Sequence, residues 1–157
     1  MNYIIIGILV VFFAKAKYKK SCSTIIDSKL KTGFHGWFGN KGSCVLQFKL
    51  FNKTFGFSNG HYACGEENNQ KRKKDLEKVV TTKGDLTNQF IDNDFWFIFG
   101  DLNFRIVLPI DECMRYIKEN NVAKLREHDQ LLEILTHNKN IKESEINFLP
   151  TFKLKRG

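Results

Sequence analysis

Apolar and polar positions change their spacing several times along this chain, and the succession predicts a layered α/β domain. Residues 3–14 are an almost unbroken apolar run rich in Ile and Val, which predicts a buried β-strand. Residues 43–50, SCVLQFKL, end in alternation: Leu46, Phe48 and Leu50 point one way, Gln47 and Lys49 the other. FNK at 51–53 then predicts a hairpin turn into a second strand, TFGFSNGH. Residues 66–82 are strongly polar, with Leu76, Val79 and Val80 at helical spacing, as in a solvent-facing helix with a narrow apolar seam. Residues 95–99 are apolar on both faces, the pattern of a central strand in a covered sheet. Ile110, Met114 and Ile117 predict another helix with Asp111 near its start, and DQLLEIL from Asp129 predicts a third. Strands and helices alternating in this way fold as α/β layers. No repeat or low-complexity tract interrupts them, and Pro occurs only at 109 and 150.

Composition narrows the picture. The 157 residues are 42% hydrophobic and include 15 Phe, a load that speaks for a packed core and against disorder. With 25 basic and 17 acidic side chains, the net charge is +8. Such a surface suits anionic partners (nucleic acid, acidic lipid headgroups or phosphorylated small molecules) or simply keeps the protein in solution. Cys22, Cys44, Cys64 and Cys113 form no C-x-x-C pair, so neither a structural zinc site nor a disulfide scaffold is expected. The apolar N-terminal run is too short to span a bilayer, which takes about 20 residues. Its basic residues follow the run instead of preceding it, unlike a secretory signal.

Candidate chemistry gathers where strands end. The apolar stretch at 95–99 stops at Gly100, and Asp101 and Asn103 follow. In α/β layers, ligands bind beyond the carboxyl ends of strands. Two residues apart in an extended chain, a carboxylate and an amide face one small volume, where they can hold a water and a phosphate oxygen. An Asx-turn closing the strand is the plainer reading of the same residues. The second strand also ends in polar groups, Asn59 and His61. GWFGNKG at 36–42 surrounds Asn40 and Lys41 with glycines, a setting suited to an anion but without Walker spacing. Near the C-terminus, LPTFKLKRG supplies Thr151, Lys153, Lys155 and Arg156.

Taken in order, these pieces resemble the inositol polyphosphate 5-phosphatases, and among them the SHIP-type members. LKTGFHGWFGNKGS, FGFSNGHYACGEENNQKRKKDL, FWFIFGDLNFRI, HDQL and EINFLPTFKLKRG follow one another with that family's spacings across nearly the whole chain. The resemblance implies the exonuclease III/DNase I-like fold, two packed β-sheets flanked by helices, and Mg2+-dependent hydrolysis of a 5-phosphate from phosphoinositides or inositol polyphosphates. It assigns Asp101 to the attacking water with Asn103 beside it, His61 to the scissile phosphate, and Asn59 to that site's support. Asn40 and Lys41 would face the ring phosphates or the membrane, and Lys153, after Thr151, the neighbouring 4-phosphate. It implies a cytoplasmic protein peripheral to the cytosolic membrane face, no nucleic-acid partner, and a leaning towards the 3,4,5-trisphosphate lipid.

Departures accompany the match. Phe152 stands where many members have Tyr, Lys73 where an Asn follows the Arg pair, and Gly65 where several have His. Residues 1–30 hold one carboxylate, Asp27, in the wrong context for the family's metal-binding Glu. The family's W-C-D-R and S-D-H motifs have no counterpart around the two tryptophans, Trp37 and Trp96. Residues 1–157 are therefore expected to form a partial 5-phosphatase domain, poorly stable and of little activity alone. The alternatives are a nuclease of the same fold, or a non-catalytic module holding acidic lipid through Lys41, Lys153, Lys155 and Arg156.

Overall fold

The computed structural model describes residues 3–5, 7–31, 41–81 and 93–151. They fall into two compact units, Met1–Asn103 and Phe104–Gly157.

The N-terminal apolar run is not one strand. It bends at Gly7, whose φ of 84° an L side chain rarely adopts, into β1 (Tyr3–Ile5) and β2 (Ile8–Val10), paired antiparallel. A 3-10 turn, Ala16–Ser21, leads into β3 (Cys22–Lys31). β3 pairs antiparallel with β4 (Gly42–Leu50), with a shift of register between Ser23 and Ile26. β4 returns as β5 (Lys53–His61) through a two-residue loop. Phe51 and Asn52 both have positive φ, 48° and 64°, the backbone of a primed hairpin turn that matches the strands' twist.

From β5 the chain crosses by a 3-10 turn (Glu66–Asn68) and helix α1 (Asn69–Thr81) to β6 (Phe95–Asp101), which pairs parallel to β5. The sheet order is β3-β4-β5-β6. β6 is thus an edge strand of this sheet among the described residues, not the central strand that its composition suggests. An apolar run reports greasy faces and carries no information about neighbours.

The sheet's two faces differ. On one, Ser43, Val45 and Gln47 lie beside Gly56, Ser58 and Gly60, all buried. Gln47 is fully buried, so the alternation in β4 does not separate a wet face from a dry one. α1 buries Arg72, Asp75, Leu76 and Val79, whereas Val80, expected in its seam, is exposed. The other face carries a ladder of Phe rings: Phe48 stacks with Phe55 and Phe57, which stack with Phe95 and Phe97 at 5.1 and 5.0 Å. The β1–β2 sheet packs on the β4 side of this ladder. There Phe12 meets Phe48 at 4.2 Å, and the Cys44 thiol donates to the Ile8 carbonyl at 3.5 Å. All four cysteines are free thiols.

The second unit holds α2 (Ile110–Lys118), α3 (Val122–Arg126) and α4 (Gln130–His137). α2 buries no residue, although Ile110, Met114 and Ile117 share its apolar spacing. The DQL motif has a structural reason. The Asp129 carboxylate caps α4 by accepting from Leu131 N, and buried Gln130 bonds both the N–H and the C=O of Arg105.

Candidate active site

Strands β5 and β6 run parallel, so their carboxyl ends lie together, and the register sets His61 beside Asp101. Lys41 precedes β4, whose first residue, Gly42, pairs with His61. Three adjacent strands thereby deliver three charged or titratable side chains to one end of the sheet. Lys41 Nζ lies 2.5 Å from His61 Nε2, and His61 Nε2 lies 3.7 Å from Asp101 Oδ2. The Asp101 side chain is 69% exposed, which leaves its carboxylate open to water and ligand.

Gly100 makes the strand end possible. Its φ is 115°, and a Cβ there would fall 2.2 Å from the Gly60 carbonyl oxygen. Beyond Asp101 the chain is not extended: Asn103 sits at φ 58°, and its N–H donates to Asp101 Oδ1 at 3.2 Å. The Asx-turn reading is therefore realised, and the expectation that Asp101 and Asn103 point the same way from an extended strand is corrected. Asn103 Nδ2 donates to the Tyr62 carbonyl at 3.2 Å, while Tyr62 N–H donates to the Asp101 carbonyl at 3.0 Å. The backbone N–H and C=O of one residue, Tyr62, thus fasten both.

The other expected residues are placed as follows. Asn59 Nδ2 donates to the Leu9 carbonyl at 3.0 Å, so this amide ties β2 to the sheet. Thr151 belongs to the second unit, where it lines a cavity of about 220 Å³ with Ile106, Leu125, Phe148 and the paired Arg126 and Asp129. Asn40, Phe152, Lys153, Lys155 and Arg156 lie outside the described residues.

Two residues that sequence reading passed over hold the site's floor. Tyr62 is fully buried. Burial above all, with the charge of Asp75, pushes its phenol well above the ordinary range, against a lowering influence from the Ser43 hydroxyl. Arg72 of α1, also fully buried, donates to the carbonyls of Ala63, Gly65 and Glu66 at 2.9, 2.6 and 3.4 Å. It fixes the loop that follows Tyr62. The only advance signal was an Arg set among lysines in a polar helix.

Among the described residues, no three His, Cys, Asp or Glu side chains gather as a metal would require of protein ligands alone. Mg2+ asks for less: it is commonly held by one or two carboxylates, with water and substrate phosphate completing the shell. Exposed Asp101 fits that role as a single carboxylate.

The Endonuclease/Exonuclease/phosphatase family 2 profile matches residues 2–157. The chain belongs to this family. A polyphosphatidylinositol phosphatase of Saccharomyces cerevisiae is 33% identical over 160 residues, and human phosphatidylinositol 3,4,5-trisphosphate 5-phosphatase 1 is 32% identical over 165. Each alignment covers 96% of this chain and 14% of the relative, so the chain spans about a seventh of the length of these proteins. Among solved structures, the inositol polyphosphate 5-phosphatase domain of SPsynaptojanin superposes with a TM-score of 0.76 at 25% identity. The match covers 96% of this chain and 41% of that one. That domain was solved with inositol (1,4)-bisphosphate and a calcium ion. A Cimex nitrophorin shares the fold at TM-score 0.68 and 23% identity. The α/β fold and the family expected from the motifs both stand.

Proposed function

We propose that this chain carries the phosphate-handling end of a phosphoinositide and inositol polyphosphate 5-phosphatase, a phosphoric monoester hydrolase. The observation that carries the reading is the Lys41–His61–Asp101 cluster at the carboxyl ends of adjacent strands. In this reading Asp101 orients the attacking water and takes its proton. The water oxygen bonds to phosphorus as the bond to the inositol 5-oxygen breaks. Lys41 and His61 meet the negative charge that spreads over the phosphoryl oxygens, the term that dominates such transfers. Asn103, pinned to Tyr62, holds Asp101 in position, and Asn59 acts at one remove through the sheet. Asn40, Thr151 and Lys153 are assigned to the remaining ring phosphates by the family pattern. Mg2+, when bound at Asp101, would supply further charge neutralisation for the same phosphate. Turnover by this chain is expected to be slow, since among the described residues no second carboxylate joins Asp101 in a metal-holding group. The reading places the protein in the cytoplasm, peripheral to the cytosolic membrane face, where phosphoinositide headgroups lie. The related proteins named for phosphatidylinositol 3,4,5-trisphosphate support that lipid as the first substrate to try.

Two readouts test this. Phosphate release from short-chain phosphatidylinositol 3,4,5-trisphosphate should require Mg2+ and fall about 100-fold or more in Asp101→Asn. Calorimetric binding of inositol 1,4,5-trisphosphate should weaken about tenfold in Lys41→Ala, the loss of one charge-assisted contact. Binding indifferent to Lys41, or release indifferent to Asp101, overturns the proposal. Nicking of DNA in place of phosphate release moves the chain to the nuclease branch of its fold.

A further inference from the structure

The opposite end of the same sheet carries a surface that the phosphatase reading does not use. No acidic residue occurs before Asp27, yet Lys15, Lys17, Lys19 and Lys20 fall within six positions, and all four are exposed. The residues before them are apolar: Val11 is 41% exposed and Phe13 87%, while Phe12 between them rests on Phe48. The β4–β5 turn lies alongside. Phe51 N–H donates to the Ser21 carbonyl at 3.3 Å, and the Tyr18 and Phe51 rings meet edge to face at 5.8 Å. Phe51 is itself 62% exposed. Among the described residues at this end, the Asp94 carboxylate is engaged by Lys53 at 2.8 Å and by Thr54 N–H.

We infer that this surface, Val11–Phe13 with Lys15, Lys17, Lys19, Lys20 and Phe51, docks the chain on an anionic phospholipid bilayer. Aromatic side chains standing clear of the protein suit the headgroup boundary, and a cluster of lysines in a stretch with no acidic residue before Asp27 suits the negative leaflet surface. Nucleic acid would use the same charge. Phe13, with Val11 beside it, favours lipid, because the pair offers protruding apolar bulk and no base-edge donors. β4 runs from the active-site end at Gly42 to the docking end at Leu50, eight steps of about 3.3 Å. A chain held by this surface therefore presents its site to the water or to a second bilayer, and not to the lipids beneath it.

The test is flotation of the full chain, in EDTA, with vesicles of phosphatidylcholine alone or with about 30% phosphatidylserine, the anionic fraction being the variable that matters. No phosphoinositide is present, so the outcome is independent of the catalytic reading. Binding should require phosphatidylserine and weaken as salt rises. It should drop about tenfold or more when Lys17, Lys19 and Lys20 are changed together to Glu. Phe13→Ser, at a position with almost no contacts to lose, should weaken it severalfold without shifting the thermal melt. Lys41→Ala should bind like the parent. Equal binding to neutral vesicles, no effect of either docking-surface change, loss in Lys41→Ala, or tighter binding to single-stranded RNA than to vesicles would each overturn the inference.

Discussion

The two faces of the β4–β5–β6 sheet are built from opposite materials. One is lined by Ser43, Val45, Gln47, Gly56, Ser58 and Gly60, small or polar and all buried. The other presents Phe55, Phe57, Phe95, Phe97 and Phe99, and the three rings on β6 are each close to half exposed. The small face is tight because large rings fold over its glycines. A Cβ at Gly56 would fall 2.2 Å from the Trp96 ring, and one at Gly60 would fall 2.7 Å from the Tyr62 ring. Among the described residues, the greasy face is open over β6, because the β1–β2 hairpin packs on β4 and β5. Burial follows the layers laid over a face and not the hydrophobicity written along a strand.

The sharpest way to test that contrast is to fill the tight face. Gly60→Val would press on the Tyr62 ring and, at 3.2 Å, on Ser43 Oγ and Leu102 Cδ2. Overpacking of this kind should cost about 3 kcal/mol in urea unfolding. It should also weaken inositol phosphate binding, because Tyr62 carries the hydrogen bonds that fasten Asp101 and Asn103. A cost below about 1 kcal/mol would mean that this face yields and is not close-packed. Emptying the same face is the next step down. Val45→Ala, at a position 2% exposed, should cost about 2 kcal/mol.

Tyr62 gives the contrast a pH signature. Its folded-state pKa is raised above the ordinary 10.0, chiefly by burial. Below pH 10 both folded and unfolded states keep the phenolic proton, and the stability it contributes is fully present. Above pH 10 the unfolded chain loses the proton and the folded chain holds it, so unfolding is favoured. Stability should decline there by up to about 1.4 kcal/mol per pH unit. Comparing urea midpoints between pH 9 and 11 for the parent and Tyr62→Phe isolates this residue. Parallel curves would show that the phenol is solvated in solution.

Much of this arrangement was legible in the chain's pattern, and the illegible part has a common cause. The β4–β5 hairpin, the helix after β5 and the polar strand ends at His61 and Asp101 all follow from periodicity and turn chemistry, which are local. Val80 and Leu76 look alike at helical spacing, but only the fold decides which one meets the sheet. Nothing local in the sequence marks Gly56 and Gly60 as the space that Trp96 and Tyr62 fill. Asn59 and Asn103 stand out in sequence only as polar strand ends, and the fold shows their amides bonded to the Leu9 and Tyr62 carbonyls. Each of these features depends on a partner distant in sequence, which no single stretch records.

The smallest expected effect is the one most able to break the comparison. Phe97 is a large aromatic residue in the greasiest stretch of the chain, and its ring stacks on Phe57 at 5.0 Å. Composition alone would rank it among the costliest side chains to remove, at about 3–5 kcal/mol for a buried Phe truncated to Ala. At 47% exposed it has much less burial to lose, and Phe97→Thr also introduces the β-branched shape that strands favour. The expected cost is therefore about 1 kcal/mol, below that of the much smaller deletion Val45→Ala on the opposite face. If urea unfolding reverses that order, the Phe ladder is covered in solution, and the two faces of the sheet are energetically alike despite their different materials.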